Sequence, residues 1–134
     1  MLVSAVTEDT LEHCWNALKG EIAIALEHGH GDLTSLDEVY KSLKDKTFFM
    51  WVIHEGEQIY AGVIFSIQEA RKRTLWVEIL AGRDMDLWLD DAERILREYK
   101  DVIGADCVGA SCRVGLVKKL KNWEVKAISM ELKL

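Results

Sequence analysis

Three apolar runs succeed one another between residues 48 and 80 with only turn-sized gaps, and this stretch limits the fold more than any other. Phe48 to His54 reads as a strand, and Glu55-Gly56-Glu57 as a turn. Ile59 to Ile67 is a second strand, and Arg71-Lys72-Arg73 marks the next reversal. Thr74 to Leu80 is a third strand, with Leu75, Val77 and Ile79 expected on one face. Gaps this short leave no room for a crossover, so the three strands form an antiparallel meander.

On either side of the meander the period is helical. Leu2 to Val6 is a short β-type opening, and Thr7 can cap a helix behind it, with Glu8 and Asp9 in the first turn where the helix dipole favours acids. Leu11, Trp15, Leu18, Ile22 and Leu26 recur at steps of three and four, which predicts an amphipathic helix ending at His28-Gly29-His30-Gly31. A second helix is expected from Leu36 through Val39, Tyr40 and Leu43, capped by Ser35 or Thr34. After Gly82, Leu89, Ala92, Leu96, Tyr99 and Ile103 form one stripe that Ile95 and Val102 widen, and Gly104 closes that helix. Asp106 to Ser111 then fits a strand, Val114 to Lys121 a short helix, and Trp123 to Leu134 an alternating final strand. The order β-α-α-β-β-β-α-β-α-β predicts an α/β domain over residues 1–134, with a mixed, mostly antiparallel sheet covered by helices.

Composition narrows the function. With 49% hydrophobic residues, 30% charged and no proline, the chain has the makings of a packed core and no proline-rich linker. A net charge of −6 argues against a general nucleic-acid binder. The longest apolar runs fall well short of a membrane span, and the opening MLVSAVTEDT has no basic region of the signal-peptide kind. Cys14, Cys107 and Cys112 are three in number without CxxC spacing, which suits reduced thiols and a soluble, cytoplasmic protein. His28 and His30, with His13 or Cys14, make a poor zinc set beside loop glycines, so no metal is expected. Charge is divided unevenly, with twenty-one acids and eleven bases before Cys112, then two acids and six bases from there to the end.

The C-terminal half carries a resemblance. Leu80-Ala81-Gly82 followed by Trp88, a helix, Gly104-Ala105-Asp106-Cys107 and then Cys112-Arg113-Val114-Gly115 resembles the short GNAT-like proteins of tailed bacteriophages. GNAT denotes the acyl-CoA-dependent N-acetyltransferase fold, and the element order above is similar to it along nearly the whole chain. In the phage group a segment of the type G-R-x-G-W-x-R-x-L closes the domain. Arg113, Gly115 and Leu120 match that segment, while Cys112 and Leu116 stand where Gly and Trp are expected.

The resemblance implies a place for each catalytic part. Acetyl-CoA, the cofactor of an active member, would lay its pyrophosphate on a glycine-rich loop after the fourth strand, at a helix N-terminus. Here that stretch is Ala81-Gly82-Arg83-Asp84-Met85-Asp86-Leu87-Trp88, with no glycine between Gly82 and Gly104. Arg83, Asp84 and Met85 are thus the candidate cofactor-binding positions of a degenerate loop. Asp84 and Asp86 put carboxylates where the diphosphate would lie, and two anions about 5 Å apart repel by roughly 3 kcal/mol at an effective dielectric near 20. Read as plain helix chemistry, the same acids are caps and dipole partners. Glu78 is the candidate general base, on the strand before the loop. The expected acid, a tyrosine on the last helix, is missing; Lys118, Lys119 and Lys121 occupy that region, and Tyr99 reads as core.

These residues lead to an expectation of a GNAT-like phage protein, virion-associated or accessory, that binds no cofactor and acts through protein contacts. Its partner would be a phage structural or host protein, and its place the host cytoplasm or the virion. Arg113, Lys118, Lys119 and Lys121 form the candidate partner surface. The alternatives are a divergent acetyl-CoA-dependent N-acetyltransferase using Glu78, and a host-directed phage inhibitor.

Overall fold

The computed structural model describes residues 1–28, 35–111, 118–127, 130, 132 and 133. In chain order the elements are β1 (Leu2–Ala5), α1 (Glu8–His28), α2 (Leu36–Lys44), β2 (Phe49–Glu55), β3 (Gln58–Glu69) and β4 (Arg73–Gly82). A 3-10 turn (Met85–Leu87), α3 (Leu89–Val102) and β5 (Cys107–Ala110) complete the order. The strands form one sheet in the order β1-β2-β3-β4-β5. The first three junctions are antiparallel and the last is parallel. The tight reversals at Gly56 and after Glu69 give the antiparallel pairs β2–β3 and β3–β4, whereas α3 carries the chain back over the sheet and delivers β5 parallel to β4.

Both faces of the sheet are covered. On one face Leu11, Trp15, Leu18 and Ile22 of α1 and Val39 and Leu43 of α2 pack on Met50, Val52, Ile64, Ile79 and Ala81. On the other, Trp88, Ala92 and Leu96 pack on Trp51, Ile53, Val63, Phe65, Leu75 and Val77. Complete burial of a side chain the size of Ile22 or Val39 contributes about 1.5–3 kcal/mol, so the two helical stripes are major sources of cohesion. Ser35 caps α2 by accepting the N–H of Glu38 on its Oγ at 3.2 Å, and Thr7 donates its N–H to Thr10 Oγ1 at the start of α1.

Two bulges shape the sheet. In β3, Tyr60 is the extra residue between the pairs Ile53↔Ala61 and His54↔Ile59. In β4, Glu78 is extra between Phe65↔Val77 and Ile64↔Ile79. The second bulge overturns the expectation that Leu75, Val77 and Ile79 share a face. Leu75 and Val77 enter the α3 core, whereas Ile79 and Ala81 enter the α1/α2 core. One inserted residue reverses the strand's two-residue alternation, so the apolar side changes layers at Glu78.

Three further expectations are corrected. Val102, the last residue of α3, stays 81% exposed instead of widening the buried stripe, because it lies past the packed part of the helix. The expected helix over Val114 to Lys121 is not formed in its described part, where Lys118 and Lys119 lie in a turn; a segment this short and lysine-rich has too little apolar surface to offset the cost of helix nucleation. The expected final strand has no ladder over residues 123–127, 130, 132 and 133, since alternation alone supplies no neighbour to pair with. Among the described residues, no helix is long and apolar enough to cross a membrane.

Candidate functional site

The bulge at Glu78 also follows directly on the last described pair of the β4–β5 ladder. β4 and β5 pair over Thr74↔Cys107, Leu75↔Val108, Trp76↔Gly109 and Val77↔Ala110. From Glu78 to Gly82, β4 keeps its ladder with β3 but has none with β5 among the described residues. Glu78 therefore stands one residue past the end of the β4–β5 ladder. Its Oε2 accepts a hydrogen bond from Ser66 Oγ at 2.8 Å. Ser66 is the single polar side chain buried among the described residues, and Glu78 satisfies it. A lone serine inside the apolar run Ile59 to Ile67 is the sequence signal that marks such a partner, since a buried hydroxyl must find one.

The face around Glu78 is built by close packing. The indole of Trp76 lies on Gly109 of β5: a Cβ at Gly109 would come within 2.8 Å of the ring. Thr74 and Cys107 meet below it, Oγ1 to Sγ at 3.5 Å. Cys14, by contrast, is buried under α1, and burial pushes its thiol up from the ordinary value, which makes it a poor nucleophile. Tyr99 packs with Trp51 and Phe65 at centroid distances of 4.9 and 5.6 Å, a half-buried residue at the margin of the α3 core.

The loop that leaves β4 is held by four contacts. Arg83 donates its N–H to Tyr60 O at 3.3 Å, and Leu87 donates to Asp84 O at 2.9 Å. Trp88 donates its N–H to Met85 O, and its indole Nε1–H to Arg83 O at 2.7 Å. Asp84 is left-handed, with φ 55° and ψ 55°, and the N–H groups of Asp84, Met85 and Asp86 meet no acceptor among the described residues. A left-handed residue leading into a 3-10 turn with successive unused N–H groups is the main-chain arrangement that cradles anions.

The side chains oppose that use. Arg83, the loop's cation, has its guanidinium 3.5 Å from Glu21 on α1. Asp86 is paired with Lys119 at 3.6 Å, while Asp84 has no cation within ion-pair distance among the described residues. Just beyond, Glu93 accepts from Asn122 Nδ2 at 3.0 Å and from Trp123 Nε1 at 3.1 Å, which ties the C-terminal segment to α3. An acyl-CoA pyrophosphate needs main-chain donors and positive potential together. The donors are present, and the charge beside them is the carboxylate of Asp84, with Asp86 countered by Lys119. Of the candidate partner residues, Lys118 and Lys121 are exposed, Lys119 serves Asp86, and Arg113 lies outside the described residues, as do Cys112 and His30.

No protein-family model matches the sequence, and comparison with curated proteins finds no match. The fold, however, matches many solved structures. A protein described as a probable acetyltransferase superposes with a TM-score of 0.72 at 12% identity, over 99% of both chains. A transcriptional regulator from Bacillus halodurans C-125 gives 0.68 at 14% identity, over 99% of this chain and 97% of that one. An aminoglycoside acetyltransferase from an uncultured soil metagenomic sample, solved with sisomicin, gives 0.63 at 14% identity over 99% and 95%. At these identities the likeness is one of fold, and the fold is GNAT-like: a mostly antiparallel sheet between helices, with its fourth and fifth strands parallel.

Proposed function

We propose that this chain is a GNAT-fold protein that has lost acetyl-CoA binding and works through protein contacts, as an accessory or virion-associated protein of a tailed bacteriophage. The fold alone does not distinguish an enzyme from a descendant without activity. The distinguishing features are particular to this chain. The carrying observation is the loop, where Asp84 and Asp86 flank the unused N–H groups and Arg83 is turned to Glu21. The phage assignment rests on the motif-matched residues Arg113, Gly115 and Leu120.

A thermal melt with millimolar acetyl-CoA tests the reading. A ligand at 100 times its dissociation constant stabilises by about 2.7 kcal/mol, a rise of roughly 5–10 °C for a domain of this size. The expected result is no rise, and a rise of several degrees would overturn the proposal.

The partner surface is the basic turn at Lys118 and Lys119, beside the loop. Replacing both by Glu reverses two charges there, so the variant is expected to lose whatever protein co-purifies with the wild type, with its melting temperature nearly unchanged. Retention of that protein would remove the turn from the interface. A partner in purified particles supports a virion component, whereas one from bacterial lysate supports a host-directed inhibitor.

One observation favours a second reading, a divergent N-acetyltransferase. Glu78 is held by Ser66 just past the end of the β4–β5 ladder, where it would take a proton from a substrate ammonium, directly or through one water. Acetyl-CoA would bring an activated acyl thioester to such a site. The same melt decides between the two.

A further inference from the structure

The second half of β4 can be laid against β3 in two ways. In the structure Glu78 is left out of the ladder, and the pairs beyond it are Ile64↔Ile79, Val63↔Leu80, Gly62↔Ala81 and Ala61↔Gly82. Without the bulge the same stretch moves by one residue, which sets Glu78 opposite Ile64, Ile79 opposite Val63 and Leu80 opposite Gly62. The pairs up to Phe65↔Val77, and the ladder to β5, are common to both arrangements. The apolar pattern does not choose between them. With the bulge, Ile79 and Ala81 enter the α1/α2 core and Leu80 packs on the α3 core. Without it, Ile79 and Ala81 join Leu75 and Val77 under α3, and Leu80 faces α1. Either way both layers receive apolar side chains.

Two residues do choose. Side chains directly opposite each other across a sheet lie on the same face, so without the bulge the Glu78 carboxylate points where Ile64 points. Ile64 is fully buried in the α1/α2 core. A carboxylate placed there loses its water and gains no counter-charge, which is among the most unfavourable of burials. With the bulge, Glu78 is only half-buried and receives the Ser66 hydroxyl at 2.8 Å. Leu80 adds a second obstacle. The space beside Gly62 is already filled, since a Cβ there would lie 2.8 Å from Leu18 Cδ1 and 2.8 Å from Met50 Cε. The methyl of Ala81 is accommodated opposite Gly62, whereas Leu80 in its place overfills the layer.

We infer that β4 has two registers open to it, and that Glu78, supported by Leu80, is the lock that holds the strand in the bulged one. The carboxylate excludes the straight register because its place there is a dry apolar core, and it favours the bulged one through Ser66. An acid at position 78 has this structural task whether or not it ever takes up a proton. The inference does not depend on what binds beside Glu78. Released from the lock, the apolar side of β4 no longer changes layers, and Leu75, Val77 and Ile79 share the α3 face.

Methyl NMR on the full chain reads the register through Ile79. In the wild type its methyls are expected to contact the α1/α2 core, and in the straight register the α3 core around Trp88, Ala92 and Leu96. Glu78→Leu with Leu80→Ala removes both obstacles and is expected to move the Ile79 methyls to the α3 side in most molecules. Glu78→Gln with Leu80→Ala keeps a polar group at position 78 and is expected to stay in the bulged register. Should the first variant not fold, Glu78→Leu alone decides, with a straight-register population of about 1–10% expected by exchange-saturation NMR. Three results overturn the inference: wild-type contacts of Ile79 in Glu78→Leu with Leu80→Ala, a straight register in the glutamine variant, or no second register in Glu78→Leu where that variant decides.

Discussion

Trp88→Ala is expected to lower the free energy of unfolding by about 3–5 kcal/mol, the cost of emptying a large aromatic site in a core. For a chain of this length that is a fall in Tm of roughly 10–20 °C, read by denaturant and thermal melts. Trp88 is fully buried and is the largest side chain in that state. It stands immediately before α3, fills the core beside the loop that leaves β4, and donates its indole N–H to Arg83 O. Trp88→Phe separates the two contributions. It keeps most of the volume and leaves a main-chain carbonyl without its donor, so about 1–3 kcal/mol is expected. If Trp88→Ala costs no more than Trp88→Phe, the residue acts through the loop hydrogen bond and not through packing.

Gly82→Ala is expected to cost about 1–3 kcal/mol or more, as overpacking does when the neighbours cannot yield. A Cβ at this position would lie 2.6 Å from Tyr60 O, 2.6 Å from Ala61 Cβ and 2.8 Å from Ala61 Cα. Two of those atoms are main chain, so β3 and β4 must separate at this end and the Arg83 N–H···O Tyr60 bond breaks. Faster amide hydrogen exchange at Arg83, together with a lower denaturation midpoint, checks the prediction. Gly20→Ala on α1 is the control: nothing lies within 4 Å of the new Cβ, and an exposed helical site is stabilised by roughly 0.5–1 kcal/mol.

The layers are legible in the sequence because helical period survives any tertiary context. The steps Leu11-Trp15-Leu18-Ile22 and Leu89-Ala92-Leu96 name the two faces that bury. The meander comes from short gaps, and the parallel fifth strand from a helix between strands. The bulge is hidden for a physical reason. A strand covered on both faces is apolar on both, so Val77 and Ile79 carry no mark of which layer each enters. The final strand shows the converse error, since alternation from Val125 onward states that a strand can form and is silent on its pairing partner.

In the candidate site, the acids of the loop and the position of Glu78 can be read directly. Ser66 as the partner of Glu78 depends on the register of β3 against β4, and that register contains the bulge. The turn of Arg83 toward Glu21 joins α1 to a loop far along the chain, a pairing no local pattern encodes. In the described part of the segment expected to be a helix, Lys118 to Lys121, the lysines also suit a turn, and Lys119 finds its counter-charge on Asp86.

The change of layers within β4 bears on how the molecule comes apart. Leu75 and Val77 anchor one half of the strand to α3, while Ile79 and Ala81 anchor the other half to α1 and α2. Neither helical layer can detach without stripping apolar cover from a strand that the other still needs. The two cores are therefore thermodynamically coupled through a single shared element, and the described body is built to melt in one transition rather than layer by layer.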